Sequence, residues 1–182
     1  MPAIKPPPIF TAAAGLTFGG GGNAGSAGAK IEHRIGVNAP AQVIWDILAD
    51  IARWPEWNPL YTEAAGELHI GATLTLTVVL PGDAPRTIRP VILDWVPRDQ
   101  IHWRLSALGG MIRSIRYIEL EILGEENCVL SNGELFEGLL GPRFANSKRR
   151  ALRRGFTEMG EALAARAEAA WRDRAKAPTS QA

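Results

Sequence analysis

Between residues 61 and 140 apolar and polar side chains mostly alternate, and from 144 to 171 the apolar ones return at helical spacing. Alternation puts successive side chains on opposite faces of a strand, whereas the later spacing lines one face of a helix. Strands joined by short turns must pair antiparallel, because parallel neighbours need long crossovers. A run of such strands closed by one long helix predicts an α+β chain with an antiparallel sheet curved around that helix. A gap between sheet and helix, lined by apolar residues, would be a ligand site. The pattern thus predicts a container before it predicts a chemistry.

Order is expected from about Lys30. Ile31, His33, Ile35 and Val37 share one face of a first strand. Asn38-Ala39-Pro40 predicts a helix start, with Asn38 as its cap and Pro40 in the first turn. Val43, Ile44, Ile47, Leu48 and Ile51 form the stripe of that helix. Pro55 and Pro59 should end it, since the residue before a proline is pushed away from helical angles. Further strands are predicted over 61–67, 73–80, 86–96, 100–108, 112–123 and 128–140, separated by Gly- and Pro-containing turns. On the final helix Leu152, Phe156, Met159, Leu163 and Ala167 share a face. Gly155 and Gly160 interrupt it at about 1 kcal/mol each relative to alanine, which predicts close packing or a kept space at those points. Residues 1–29, rich in proline and glycine, are expected to be a disordered tail, 30–175 a single domain, and 176–182 a second short tail.

At 182 residues with 46 % hydrophobic and 21 % charged side chains, the chain has the composition of an ordinary globular protein. A net charge of +1 gives no general attraction to nucleic acid. No apolar run approaches the roughly 20 residues that span a bilayer, so stable membrane insertion is not expected. Pro6, Pro7 and Pro8 directly after Lys5 spoil a secretory signal. A single cysteine, Cys128, excludes an internal disulfide and fits a cytoplasmic setting. There is no His-Glu-x-x-His, no phosphate-cradling glycine loop and no nucleophile elbow, so no metal or other cofactor is expected.

Two stretches carry a family resemblance. One is 39–50, Ala-Pro-Ala-Gln-Val-Ile-Trp-Asp-Ile-Leu-Ala-Asp, followed by Trp54-Pro55-Glu56-Trp57-Asn58-Pro59. The other pairs Gly133-Glu134-Leu135-Phe136-Glu137-Gly138 with Gly155-Phe156-Thr157-Glu158-Met159-Gly160. In order and spacing these resemble the SRPBCC superfamily, the START-like or birch-pollen-allergen-like helix-grip proteins, and within it the polyketide cyclase/dehydrase and lipid-transport group. The resemblance implies two short N-terminal helices, a strongly bent sheet and a long C-terminal helix over a cavity. It does not imply one activity, because members include lipid and hormone binders as well as aromatase/cyclases. Related sequences often carry histidines where this chain has Arg116 and Asn132, so any chemistry of those histidines would be lost here.

The candidate ligand-binding residues are His33, Trp57, Leu76, Val78, Val91, Leu93, Trp103, Arg116, Ile118, Glu134, Phe136, Phe156, Met159 and Leu163. Arg116 is in step with Ile112, Ser114, Ile118 and Leu120, the more apolar face of its strand. If Ile122 lies opposite Cys128, Arg116 lies opposite Glu134. Such a pair could orient a polar group of a ligand through the guanidinium fork, or be a structural ion pair. His33 could exchange protons near neutral pH or be a packed core histidine. His102, on the face opposite Trp103, is expected in solvent. Trp57-Asn58 could form the cavity mouth or seal the core. Lys148-Arg149-Arg150 and Arg153-Arg154 form a basic cluster, read first as a solvated helix face and otherwise as a contact for anionic lipid headgroups or nucleic acid, of which the resemblance favours lipid. The expected partner is a small hydrophobic molecule or lipid. A polyketide cyclase or dehydratase using His33 or Glu134, and an interaction module with a closed cavity, are the alternatives.

Overall fold

The computed structural model describes residues 28–176. The expected tails lie outside the described residues, save that Gly28, Ala29 and Lys176 are described. In chain order the elements are β1 (Ala29–Val37), α1 (Ala41–Ala49), a 3-10 turn (Ile51–Glu56), β2 (Tyr61–Ala65), β3 (Thr75–Val78), β4 (Arg86–Ile88), β5 (Val91–Val96), β6 (Gln100–Ala107), a second 3-10 turn (Leu108–Gly110), β7 (Ile112–Gly124), β8 (Asn127–Glu137) and α2 (Gly141–Lys176). This is the α+β helix-grip architecture. A five-stranded antiparallel sheet runs β1-β8-β7-β6-β5, and a three-stranded sheet runs β2-β3-β4.

The sheet divides where one strand was expected over 86–96. Pro90 has no N–H for a ladder, so it separates β4 from β5. Its carbonyl instead accepts a hydrogen bond from Leu74 N at 2.9 Å, and Ile92 N donates to Ala72 O at 2.8 Å, so the smaller sheet hangs from the edge of the larger one. The β7–β8 hairpin has the expected register, with Ile122 opposite Cys128 and Arg116 opposite Glu134.

Two local expectations are corrected. Asn38 does not cap α1; Pro40 holds that position, and the Asn38 backbone N–H and side-chain amide both donate to Glu168 on α2, at 2.9 and 3.1 Å. The helix also ends before Pro55: α1 closes at Ala49, Asp50 leaves helical angles with ψ at 75°, and a separate 3-10 turn follows that contains Pro55 and finishes at Glu56.

Helix α2 packs chiefly on β1, with further contacts to β8, α1 and β7. Leu152, Phe156, Met159, Leu163 and Ala167 are all buried, and a leucine such as Leu163 contributes roughly 1.5–3 kcal/mol by leaving water. Both helix glycines mark close approaches. A Cβ on Gly155 would lie 3.1 Å from Leu60, and one on Gly160 would lie 2.8 Å from Nδ1 of His33. Cys128 is buried and free, and burial pushes its thiol pKa up, as expected of a packing residue.

Candidate functional site

The two halves of α2 do different things. Around Gly160 the helix sits directly on His33 and Asn132, and no space is left. Nearer its N-terminus Phe144, Leu152 and Phe156 face a cavity of about 350 Å³. The β3–β4 hairpin forms the opposite wall through Val78, Leu80 and Ile88, and Trp103, Leu105 and Phe136 come from the large sheet. The separation of β4 from β5 at Pro90 carries the hairpin away from the large sheet and gives the cavity its second wall. At the rim Lys148 of α2 pairs with Asp83 of the β3–β4 turn at 2.7 Å.

The walls are mostly apolar; apart from the charged residues Asp83, Arg86 and Lys148, the polar side chains Ser114, Arg116 and Glu134 gather where β7 and β8 meet. Arg116 is only 3 % exposed. Its Nη1 donates to the carbonyls of Tyr117 and Gly133 at 2.7 and 2.8 Å. Its Nη2 donates to Oδ1 of Asn132 and lies 3.4 Å from the Met159 sulfur. The guanidinium carbon sits 4.2 Å from the Phe156 ring centroid and 5.7 Å from that of Trp103, a geometry in which a cation is attracted by the ring faces. Nε is buried and has no partner. Asn132 completes the unit by donating to the Phe156 carbonyl of α2 at 2.6 Å. Arg116 and Asn132 are therefore joined as one guanidinium–amide unit tied to the helix.

The structural ion pair does not form. Arg116 and Glu134 are opposite in register, yet the guanidinium reaches the diagonal neighbour Asn132 instead, which a long side chain can do across a sheet. Glu134 lines the cavity with Ser114 and Tyr61. Burial raises the Glu134 carboxyl pKa against the opposing effects of a Ser114 hydrogen bond and the Arg116 charge. Burial likewise raises the Tyr61 phenol.

Of the residues singled out from the sequence, the structure brings Val78, Trp103, Arg116, Glu134, Phe136 and Phe156 together around the cavity. His33, Leu76, Ile118, Met159 and Leu163 lie outside its lining; all but the partly buried His33 are fully buried in the core. Val91 and Leu93 lie outside it as well, because a bulge between Ile92 and Asp94 turns Ile92 into the core instead. Trp57 lies outside the lining, edge-on to Trp54 at 6.5 Å, while the fully buried Trp54 packs at a tilt against the lining residues Tyr61 and Trp103. Asn58 is buried, and its Oδ1 accepts from Leu60 N at 3.0 Å, holding the loop that delivers Leu60 and Tyr61.

His102 is corrected: it is 8 % exposed, with Nε2 2.9 Å from Glu119 and its ring edge-on to Tyr117. Large side chains on that outer face cover one another. Within the basic cluster, Lys148 and Arg154 are engaged in ion pairs, with Asp83 and Glu158. Sequence reasoning passed over Tyr61, Leu60 and the Asp83–Lys148 rim, which no local spacing connects. Ser114 was signalled, two residues before Arg116 on the same face.

Among the described residues no cluster of potential metal ligands is present, and no helix is long and apolar enough to cross a membrane. Residues 28–168 match the family described as polyketide cyclase / dehydrase and lipid transport. No curated protein sequence matches the chain. Among solved structures, it is similar to the Zhui aromatase/cyclase from Streptomyces sp. R1128, at 22 % identity and TM-score 0.65 over 84 % of this chain and 99 % of that one. It is also similar to norcoclaurine synthase from Thalictrum flavum, at 18 % identity and TM-score 0.58 over 76 % and 86 % of the two chains. A START superfamily protein from Mycobacterium smegmatis matches at 20 % identity and TM-score 0.55 over 80 % and 98 %. At these identities the likeness establishes the fold.

Proposed function

We propose, from the premise that this chain belongs to the polyketide cyclase / dehydrase and lipid transport family, that its cavity binds one small, mostly apolar molecule with a polar end. The observation that carries this is the apolar cavity of about 350 Å³ ending on Arg116, Glu134, Ser114 and Tyr61. That volume is near the lower end of the roughly 300–1,000 Å³ typical of ligand sites. It suits one or two rings or a single short chain, and is too small for a two-chain lipid. Apolar contact would contribute roughly 25 cal/mol per Å² removed from water, less the cost of association. The polar end would lie against Arg116 and Glu134. A cytoplasmic setting belongs to the same proposal, since Cys128 is buried and unpaired.

The test is to purify the protein under native conditions, denature it and identify what is released by mass spectrometry, with a thermal-shift screen of small aromatic and short-chain compounds alongside. A stoichiometric compound of that size, or specific stabilisation by one, supports the proposal. A two-chain phospholipid as the stoichiometric occupant contradicts it, and so does an empty protein that no compound stabilises.

Catalysis of a cyclisation or dehydration is the second possibility, and the state of Glu134 favours it. Burial raises the pKa of this carboxyl and so favours the acid form, which could donate its proton to a substrate oxygen. His33 packs against Gly160 outside the cavity lining, which leaves Glu134 as the acid to test. Loss of turnover in Glu134→Gln with ligand binding intact would support catalysis. Unchanged turnover would exclude Glu134 from it.

A further inference from the structure

We propose that the molecule held in the cavity is a small organic monoanion, a carboxylate in particular, whose charge answers that of Arg116. This rests on the ligand-binding role proposed above and adds the charge of the ligand to it.

The geometry makes Arg116 a buried cation with only neutral partners. They are two backbone carbonyls, the Asn132 amide and the Met159 thioether, with two aromatic rings and the Tyr61 phenol alongside. Among the described residues no carboxylate forms an ion pair with it. A guanidinium does not deprotonate in a protein, so the charge persists at every working pH. Neutral dipoles reduce the cost of burying it, but an anion at contact distance compensates it far better.

The nearest acid across the ladder does not supply that anion. Glu134 faces Arg116 in register but forms no ion pair with it, and burial shifts its carboxyl towards the neutral form. The rim does not supply one either, because Asp83 is engaged with Lys148 at 2.7 Å. Besides the Tyr61 phenol, whose pKa burial raises, the ionisable groups lining the cavity are Asp83, Arg86, Arg116, Glu134 and Lys148. Even with both acids ionised the cations outnumber them, and with Glu134 protonated the excess grows.

A bound carboxylate fits this arrangement. It could accept from the unpartnered Nε–H of Arg116 and from the acid form of Glu134, while its apolar body lies against Trp103, Phe136 and Phe156. A neutral carbonyl could accept the same bonds without balancing the charge. A hydrogen bond to a charged group contributes about 1.5–3 kcal/mol, which corresponds to about 10- to 150-fold in affinity.

Matched acid and amide probes test this on the intact wild-type protein. Isothermal titration near neutral pH would compare 2-naphthoate with 2-naphthamide, and octanoate with octanamide. Tighter binding of the acid by about tenfold or more in at least one pair is the expected result. Amides binding as tightly as acids in every pair would overturn the anion while leaving ligand binding intact. If no probe of either charge binds, ligand binding itself is contradicted, and the anion with it. Arg116→Gln, with folding checked by the near-ultraviolet signal of its buried tryptophans, should lose most of the acid preference and keep amide binding. A preference unchanged in the folded variant would also overturn the proposal.

Discussion

Asn132 is the fixed point between cavity and helix, and replacing it by leucine separates packing from polarity. The side chain is 1 % exposed, and leucine has nearly its shape, so little cavity is created. Two hydrogen bonds are lost: the one accepted from Arg116 Nη2, and the one donated to the Phe156 carbonyl. A bond to a charged group contributes about 1.5–3 kcal/mol and a neutral one about 1 kcal/mol. Burying the added apolar surface offsets about 1 kcal/mol of that. Asn132→Leu should therefore destabilise the fold by about 1.5–3 kcal/mol. Urea unfolding followed by tryptophan fluorescence measures it, as a fall in midpoint of about 1–2 M at an ordinary slope.

The same measurement on Arg116→Met and on the double variant closes the cycle. Each single change strands a polar partner in the interior, whereas the double change removes both ends of one bond and the buried charge with them. The double variant should be more stable than the summed single losses predict, by at least about 1 kcal/mol. Additivity to within about 0.5 kcal/mol, or an Asn132→Leu protein as stable as wild type, would refute the coupled unit.

Other expectations follow from the same geometry. Gly133→Ala would drive a Cβ into the Tyr117 hydroxyl and to within 2.8 Å of the Ile31 carbonyl, displacing the Tyr117–Glu32 hydrogen bond at 2.5 Å. A loss of about 3–5 kcal/mol in chemical denaturation is expected from overpacking and that bond together, and a loss below about 1 kcal/mol would disprove the contact. Because Glu134 is raised above its ordinary 4.5, the folded protein holds that proton after the unfolded chain has released it. Its contribution is thus fully present below pH 4.5 and falls as pH rises through the native value. Glu134→Gln should accordingly gain stability relative to wild type between pH 4 and pH 8, and a constant difference in urea midpoints would contradict the shift. Asp83→Ala removes a half-exposed rim pair and should cost no more than about 1 kcal/mol. Stopped-flow exchange of a bound naphthoate should nevertheless accelerate several-fold, and unchanged rates would exclude the Asp83–Lys148 pair as a barrier.

Much of the architecture could be read before the structure. The change of period predicted the strands and the long helix, and the apolar faces of β7 and β8 fixed their register, because a one-residue slip would turn every side chain to the opposite face. The unread parts have particular causes. Pro90 divides a stretch that reads as one strand between two turn signals, so the second sheet and the cavity wall it builds were not visible to periodicity. The bulge at Ile92–Asp94 moved the inward position away from Val91 and Leu93 for the same reason. Helical spacing placed Phe156, Met159 and Leu163 on one face, but it could not show that the cavity ends at Phe156 and that the helix beyond it rests on His33. The absence of an Arg116–Glu134 ion pair was equally beyond reach, since register gives Cα partners and not where a long side chain finds its acceptors.

The most direct test of the central claim is a methyl NMR titration of the intact protein with small aromatic probes. If the cavity is the binding site, shifts will concentrate on the methyl groups of Leu60, Val78, Leu80, Leu105, Ile112 and Leu152, which line it. The methyls of Leu163 and Ala167, in the packed half beneath α2, will stay in place. Shifts confined to the outer face of the sheet, or saturating binding that leaves the cavity methyls unmoved, would contradict the account.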